Sequence, residues 1–547
     1  MGAKRDLDVA IIGGGHNGLV CAYYLARSGL RVRILERRAM VGGAAVTEEF
    51  HPGFRNSVAS YTVSLLQPKI ISDLKLHEHG LRIVDRKLAN FLPTADGRYL
   101  AVGDGRTRNE VAKFSARDCE QLDAYSHRLG AVADLLRRLM LETPPNVGHS
   151  GLSALGEMLK AGRIAHKLDA LDLCAKRDLL ALFGRSAGDY LDGWFESDPI
   201  KAVYGFDSIV GNYASPYTPG SGYVLLHHLL GEVNGRRGTW GHAIGGMGAI
   251  TQAMAKACMA QGVDIRLNTS VAEIIIEKGR AAGLVSKDGE IVRARAIVSN
   301  VNPKLLFQKL MDPLLLPKDF RERIDAYRMG SGTFRMNVAL SQLPRFACLP
   351  QPGDHLTAGI ILAPSLAYMD AAYQDARAGG WSKNPVVEML IPSTLDDTLA
   401  PKDAHVASLF CQHVAPVLPN GASWDDHRQD VADLMIATVD HFAPGFGASV
   451  VGRQALTPLD LERDFGLTGG DIMHGRLELD QLFAARPVLG HGSYRMPVPG
   501  LYMCGSATHP GGGVTGAPGH NAAREVLGDL TTGLWAKLGN SIRGNYR

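Results

Sequence analysis

Cysteine pairs, long apolar runs and metal-ligand patterns are all missing from this chain of 547 residues. Its seven cysteines lie far apart without a CxxC pair, which argues against a redox-active disulfide, a zinc knuckle and a secreted disulfide framework. No apolar run reaches the length of a membrane span. The scattered histidines have no ligand spacing, so no metal site is expected. These absences predict a cytoplasmic protein, and they are compatible with contact to a membrane surface.

An excess of charge is missing as well. The formal net charge of +3 is small for this length, and no dense run of lysine or arginine occurs. The sequence therefore gives no reason to expect a nucleic-acid partner. The hydrophobic share of 46% is that of a folded globular protein. Because the chain is too long for one simple core, two or more domains are expected.

The first residues carry the pattern of a dinucleotide-binding unit. A buried-strand pattern (DVAII, residues 8–12) runs into the glycine motif GGGHNG (residues 13–18), and a helical stretch follows. Gly13 permits the tight turn, Gly15 lets backbone approach a pyrophosphate, and Gly18 lets the helix pack on the strand. The N-terminus of that helix offers unpaired N–H groups and a partial positive charge to the phosphates.

A second strand pattern (RVRIL, residues 31–35) ends on an acid, Glu36. A carboxylate at this place accepts hydrogen bonds from a ribose diol and repels a phosphate at the ribose 2′ position, although Arg37 weakens that repulsion. His16 is interpreted as orienting the pyrophosphate loop. Gly42-Gly43 is either a second close approach of backbone to the ligand or a plain turn. From these residues alone, the ligand is NAD or FAD.

The middle of the chain predicts one helical region and two groups of strands. In residues 107–200, Ser115 and Asp118 resemble a helix cap, and apolar residues from 122 to 140 recur at helical spacing, which indicates core. A helix, a strand, a hairpin and a returning strand follow at residues 249–261, 263–267, 272–286 and 295–298. Later β-rich stretches at residues 333–340, 385–392 and 405–413 predict a second, mostly antiparallel sheet. On these stretches Arg335, Glu388 and Gln412 could face a substrate.

Near the C-terminus a short apolar strand leads into a loop of small residues (505–519), and a helix begins near Asn521. Such a loop exposes backbone N–H groups to a flat or bulky ligand, or else forms a mobile lid. Histidine titrates near neutral pH, so His509 in this loop and His474 in the glycine-rich segment 466–475 are the candidate catalytic acid or base. The alternative is that each histidine binds backbone and orders its own loop.

Five motifs together resemble the flavin-dependent carotenoid desaturase, isomerase and ketolase family. They are GGGHNGL (13–19) with Glu36 and Gly42-Gly43, GGMGAITQAMA (245–255), VSNVNP (298–303), GGDIMHGRLELDQLF (469–483) and GSATHPGGGVTGAPG (505–519). The resemblance covers nearly the whole chain and implies FAD, with Val271 on the adenine side and the loop from Gly505 around the ribityl chain and flavin ring. Ser506 departs from the acid that many FAD enzymes of this fold carry there. The candidate cofactor-binding residues are Gly13, Gly15, His16, Asn17, Gly18, Glu36, Arg37, Gly43, Val271, Gly505, Ser506 and Gly516.

The resemblance also implies an α/β fold like that of amine oxidases and phytoene desaturases. We expect a discontinuous Rossmann-like FAD-binding domain (residues 1–100, 241–305 and 484–547). We expect an α+β substrate domain with a mostly antiparallel sheet in the remainder (residues 101–240 and 306–483).

The function implied is that of an FAD-dependent oxidoreductase. It would remove a hydride from an apolar or amphipathic small molecule, with C–C desaturation favoured, and be reoxidised by oxygen or a quinone. Two alternatives stay open: a flavin amine oxidase, and a flavin-binding interaction protein with little turnover. The His509-Pro510 loop and the GGDIMHG segment argue against the amine oxidase.

Overall fold

The computed structural model describes residues 7–146, 148 and 152–544, and two seven-stranded sheets organise this part of the chain. Residues 1–6, 147, 149–151 and 545–547 of the predicted domains lie outside the described residues. The first sheet has the spatial order Asp264–Arg266, Val32–Leu35, Leu7–Ile12, Ile291–Ser299, Arg280–Ser286 and Val271–Glu277, and Leu501–Met503 also pairs with Ile291–Ser299.

Strand Ile291–Ser299 joins two kinds of pairing in the first sheet. It runs parallel to Leu7–Ile12 and Leu501–Met503, and antiparallel to Arg280–Ser286. Arg280–Ser286 is also antiparallel to Val271–Glu277. The predicted hairpin and the strand that returns after it are therefore confirmed. Parallel strands point the same way, so the residues that follow them meet at one edge of the sheet, where ligands bind in open α/β sheets.

Helices cover both faces of this sheet. His16–Arg27, Met247–Ala260 and the last helix, Ala517–Gly544, share the core on one face, while Pro303–Lys309 and Lys318–Asp325 cover the other. The first and last helices touch closely, because a Cβ on Gly519 would lie 2.2 Å from the carbonyl oxygen of Asn17. The first and last of the described helices thus lie in one layer.

The second sheet is mostly antiparallel, as predicted, so the fold class is confirmed. Its order is Val450–Leu456, Phe334–Leu340, His405–Val414, Trp381–Leu390, Gly359–Leu362, Leu88–Pro93 and Tyr99–Gly103. Gly359–Leu362 and Leu88–Pro93 are parallel, and the other neighbours are antiparallel.

One assignment within the predicted domains differs from the structure. Residues 1–100 were expected in the cofactor domain, yet Leu88–Pro93 and Tyr99–Gly103 belong to the second sheet. The hairpin they form is local, but its place is decided by pairing with Gly359–Leu362, far away in sequence. No pattern within residues 88–103 indicates that these strands pair with Gly359–Leu362. The rest of the domain division stays a prediction.

The helical region is confirmed. The Ser115 hydroxyl accepts a hydrogen bond from the backbone N–H of Asp118 at 3.0 Å, and the apolar stripe of that helix is buried. The helices of this region are Thr107–Ala112, Ala116–Met140, Leu152–Asp169, Leu173–Gly184, Ala187–Asp192, Asp198–Phe206 and Ser221–His228. The remaining longer helices are Pro68–Asp73, Leu366–Gly379, Trp424–Phe442 and Pro458–Phe465. No helix within the described residues combines the length and apolar character that crossing a membrane requires.

Candidate functional site

A cavity of about 440 Å³ lies at the carboxyl edge of the first sheet. Most of the predicted cofactor residues line this first cavity, and predicted catalytic residue His474 lines it too. They are Gly13, Gly15, His16, Asn17, Glu36, Arg37, Gly43, Val271, Ser506 and His474. The structure thus brings together residues from the start, middle and end of the chain.

The glycines of the first motif have separate physical roles. Gly13 has a φ of +92°, which the turn after the first strand requires. A Cβ on Gly15 would lie 2.8 Å from the side-chain amide nitrogen of Asn300, at the cavity wall. A Cβ on Gly18 would lie 2.4 Å from the carbonyl oxygen of Gly13. Gly18 therefore lets helix and strand approach and does not itself line the cavity.

The Glu36 carboxylate is buried and held by backbone. Its Oε2 accepts a hydrogen bond from the N–H of Gly14 at 2.7 Å, and its Oε1 accepts one from the N–H of Arg38 at 2.9 Å. Each oxygen keeps a further lone pair for a ligand hydroxyl. A ribose diol fits this acceptor pair.

Positive charge surrounds the same end of the cavity. Arg37, Arg38, Lys287 and Lys309 line it. One terminal nitrogen of Arg38, Nη1, is buried without a hydrogen-bond partner, while the other pairs with Glu48. A buried unpaired donor is costly, so this atom fits an anionic or polar ligand group.

The two glycine-rich ends of the chain meet at Asn17 and Ser506. The Asn17 side-chain amide donates to the Ser506 hydroxyl at 3.1 Å, and Asn17 Oδ1 is buried without a partner. Ser506, which departs from the usual acid, therefore links the two motifs and faces the cavity.

His16 is also buried and His474 is half-buried, and each has a buried ring nitrogen without a hydrogen-bond partner, Nε2 in His16 and Nδ1 in His474. Burial lowers the pKa of both to about 4, helped by Arg486 for His474 and by His474 for His16. Both rings are therefore neutral near pH 7, with one donor and one acceptor nitrogen each. A polar ligand would satisfy these atoms.

A second cavity of about 110 Å³ continues from the first, because His16, Ala44, His474 and Ser506 line both. Its remaining wall is mostly aromatic and aliphatic, with hydroxyl groups at Ser60, Thr62 and Ser64, and it includes Tyr61, Leu65, Val210, Trp240, Met247 and Ile250. None of its described lining residues is Asp, Glu, Lys or Arg. His228 also lines it, stacked 6.2 Å from the Trp240 ring. The cavity suits an apolar molecule.

Sequence reasoning missed Tyr61 and Trp240 as cavity residues, and it missed Arg486 altogether. Arg486 is fully buried and donates to backbone carbonyls of both glycine-rich loops: Met473, Gly475, Arg476, Gln481 and Ser506. A lone arginine carries no signal for this role. Sequence reasoning also missed Asp471, which accepts from the N–H groups of Gly330, Met473 and Gly475, although an acid within a glycine-rich loop could have pointed to it.

The other predicted residues lie outside these two cavities. His509 lines a third, apolar cavity of about 600 Å³, where its Nε2 bonds to the Leu139 carbonyl at 3.0 Å and its ring stacks on Phe483. Burial lowers its pKa to about 4. A Cβ on Gly505 would lie 2.8 Å from the Asn300 carbonyl oxygen, and Gly516 has a φ of +73°.

The three candidates on the second sheet are buried behind the cavities. Arg335 donates to the Leu409 carbonyl, and Gln412 donates to the Ile209 carbonyl. Glu388 accepts from Tyr61, which lines the second cavity. Of these three residues, only Glu388 is hydrogen-bonded to a residue that lines one of the two cavities.

Comparison with known proteins gives concordant matches. The family described as flavin containing amine oxidoreductase matches residues 18–527. Pyridine nucleotide-disulfide oxidoreductase domain-containing protein 2 of Rattus norvegicus is 41% identical, over 96% of this chain and 94% of that protein. The lycopene-forming phytoene desaturase of Pantoea ananas is 23% identical, over 94% and 98% of the two chains. These matches confirm the resemblance drawn from the sequence motifs.

The fold is similar to that of solved oxidases. The structure of cyclohexylamine oxidase from Brevibacterium oxydans IH-35A matches with a TM-score of 0.57 at 17% identity, over 96% of this chain and all of that one. The name of the Rattus norvegicus relative includes the word disulfide. In this chain, all seven cysteines are free thiols.

Proposed function

Because this chain belongs to the flavin-containing amine oxidoreductase family and is an FAD-dependent oxidoreductase, we propose that it desaturates an apolar or amphipathic organic molecule. In such a reaction a hydride and a proton leave neighbouring carbon atoms. Oxygen or a quinone would then take the electrons from the reduced protein. The predicted cofactor, FAD, agrees with the family match.

The observation that carries this proposal is the second cavity. It continues from the dinucleotide cavity through His16 and His474, and no formally charged acid or base lines it among the described residues. An apolar molecule gains free energy by leaving water for such a wall, at roughly 25 cal/mol per Å² of apolar surface. The phytoene desaturase relative, whose name denotes a hydrocarbon substrate, supports the same class.

The chain's own residues would hold FAD along the first cavity. Glu36 would accept from the ribose, and the backbone N–H groups after Gly13 would face the pyrophosphate. His16, His474 and Ser506 stand where the two cavities meet, and Asn17 is hydrogen-bonded to Ser506, so their polar atoms would orient the ring end. Bound FAD supplies a two-electron acceptor at flavin N5. As a neutral group, His474 would donate or accept a hydrogen bond there.

We further propose that the substrate is taken up from an anionic lipid surface. Leu155, Met158 and Leu159 are more than half exposed on helix Leu152–Asp169, and Leu180 and Leu479 are equally exposed near the third cavity. Basic side chains are exposed on the helices that carry these apolar residues, Arg163 on Leu152–Asp169 and Arg177 on Leu173–Gly184, which also carries Leu180. Exposed apolar and basic side chains on these helices fit the interface of an anionic bilayer.

Anaerobic reduction of the bound flavin tests the proposed chemistry. A polyene or a lipid-like hydrocarbon should bleach the flavin absorbance of the purified protein without oxygen. Trp240→Ala should weaken that response, because it opens the cavity wall, while Trp381→Ala, outside both cavities, controls for loss of a tryptophan. Bleaching by amines alone would make the protein an amine oxidase. No bleaching together with a copurifying protein would favour the interaction role.

A further inference from the structure

Glu388 sits directly behind the wall of the second cavity. The Tyr61 hydroxyl, on the cavity wall, donates a hydrogen bond to Glu388 Oε2 at 2.5 Å. Glu388 is 7% exposed on the strand Trp381–Leu390 of the second sheet. One hydroxyl group therefore separates a buried carboxylate from the apolar cavity.

The second sheet leaves space for this carboxylate at one glycine. A Cβ on Gly359, on the neighbouring strand, would lie 2.6 Å from Glu388 Oε1. Any side chain there would push the carboxylate out of its position. The place of Glu388 is thus built by two strands as well as by Tyr61.

Two cations face the pair. The fully buried Arg335 guanidinium lies 4.5 Å from the centroid of the Tyr61 ring and donates to neutral groups, Leu409 O and Ser408 Oγ. Arg86, which donates to Thr62 Oγ1 beside Tyr61, also acts on Glu388 through its charge. Their positive field favours the anionic form of Glu388, while burial disfavours it.

Resting on the proposed desaturation, we propose that Tyr61 and Glu388 are the proton-accepting pair of the second cavity. Bound FAD would accept the hydride with its two electrons, and the electron pair of the neighbouring C–H bond would become the new C=C bond. The Tyr61 oxygen takes the released proton while its own hydroxyl proton moves to Glu388 Oε2. Glu388 ends as a neutral carboxylic acid, and Tyr61 is unchanged.

The protonation states at rest fit these roles. Burial and the charge of Glu388 raise the pKa of Tyr61, so its hydroxyl stays protonated, and its hydrogen is engaged with Glu388. The oxygen lone pairs are then the available acceptors. Burial raises the pKa of Glu388, which makes it a stronger base, while Tyr61, Arg86 and Arg335 act to lower it.

The acid Asp207 interacts electrostatically with Glu388. Burial and the charge of Glu388 raise the pKa of Asp207 to about 8. Asp207 lines a separate cavity of about 410 Å³ with Tyr125 and Tyr204. Any titration of Glu388 is therefore coupled to Asp207.

Rapid-mixing kinetics of anaerobic flavin reduction test the pair in the FAD-loaded protein. Glu388→Gln and Tyr61→Phe should each slow reduction by about 100-fold or more, the usual contribution of a positioned acid or base, without weakening substrate binding. The wild-type rate should rise with pH as Glu388 loses its proton, and the Glu388→Gln rate should not. Tyr368→Phe, which removes a tyrosine hydrogen bond to Pro385 O outside the cavities, should keep the wild-type rate.

Infrared difference spectra across a pH series give a readout without turnover. Beside the band of Asp207, which both proteins share, the wild type should show a protonated carboxyl band of Glu388 that grows as the pH falls and is missing in Glu388→Gln. In Tyr61→Phe its midpoint should move to higher pH, because the hydrogen bond that favours the anion is lost. Wild-type spectra without such a band would overturn the proposal.

The kinetic outcomes separate this proposal from the one it rests on. If substrate reduces the wild-type flavin and both variants keep its rate, the pair is not the proton acceptor, and the proposed function stands. If no substrate reduces the wild type, both proposals fail.

Discussion

Glu36 links ligand recognition to the conformation of the backbone. Its two carboxylate oxygens accept from Gly14 and Arg38, so the loop after each of the first two strands is tied to the same acid. This residue could be predicted from sequence because strand, glycine motif and acid lie within one short βαβ unit.

Replacing Glu36 by glutamine should weaken FAD binding. Glutamine keeps one acceptor oxygen, and its amide group would face a backbone N–H of Gly14 or Arg38. Loss of a charged acceptor costs about 1.5–3 kcal/mol, so affinity should fall by roughly 10-fold or more. Fluorescence titration of the apoprotein with FAD measures this. Glu273→Gln, exposed on Val271–Glu277 of the same sheet, is the control, and equal affinities of the two variants would contradict the assigned role.

Single residues without a local pattern escaped prediction. Tyr61 and Trp240 line the second cavity, and Arg486 organises two loops, yet each stands alone in the sequence. Their roles arise from contacts across long stretches of chain. His509 shows the reverse case, because its motif pointed to the flavin while its ring bonds to Leu139 and lines the third cavity.

At the scale of elements, periodicity predicted the existence of most strands and helices. The hairpin Val271–Glu277 and Arg280–Ser286 and the helix Ala116–Met140 are examples. Periodicity does not name the partner of a strand, so the place of Leu88–Pro93 in the second sheet had no local signal. Whether Glu388 faces a cavity also depended on strand parity and on Tyr61.

The exposed apolar side chains of helix Leu152–Asp169 should mediate binding to anionic vesicles. Serine at Leu155, Met158 and Leu159 together should reduce binding, because the apolar area that would enter the interface is lost. Cosedimentation with vesicles of phosphatidylglycerol and phosphatidylcholine measures this, and added salt should weaken the remaining binding. Serine at Leu314 and Leu315, equally exposed elsewhere, is the control. Unchanged binding by the triple variant would remove this surface from consideration.

At the scale of the whole molecule, buried neutral histidines should make the protein sensitive to acid. Burial lowers the pKa to about 4 in His16, His474 and His509 and to about 3 in His227 and His413. The unfolded chain binds these protons near pH 6.5 and the folded chain does not. Their contribution to stability is therefore full above about pH 6.5 and is lost as the pH falls toward about 4. Asp207, with a pKa raised to about 8, opposes this and only reduces the slope.

Thermal unfolding of the FAD-loaded protein between about pH 7.5 and about pH 5 measures this dependence. The Tm should fall with the pH. His413→Phe should flatten the dependence by about one proton, since that ring lies among Tyr213 and Tyr373, outside the cavities. His427→Gln, a half-buried histidine, serves for comparison. A constant Tm over this range would contradict the expectation.

The overall fold was predictable because five different motifs are spread along nearly the whole chain. Each motif indicates its own strand, turn or helix from residues that are close in sequence. The carboxyl edge of the first sheet then gathers Gly13, Glu36 and Ser506 without further information. The second cavity was not predictable, since its wall combines side chains from residues 59–66, 240 and 472–474 that no local spacing relates.

The hydrogen bond from Asn17 to Ser506 spans 489 positions, and it orders events during biosynthesis. The ribosome makes the glycine motif well before the strand Leu501–Met503 and the loop after it, which contains Ser506. A nascent chain therefore holds half a cofactor site while the residues between Asn17 and Ser506 are made, and FAD can be enclosed only after the loop with Ser506 has been synthesised. A premature stop before residue 501 would leave a chain that keeps most of its mass and cannot close around its cofactor.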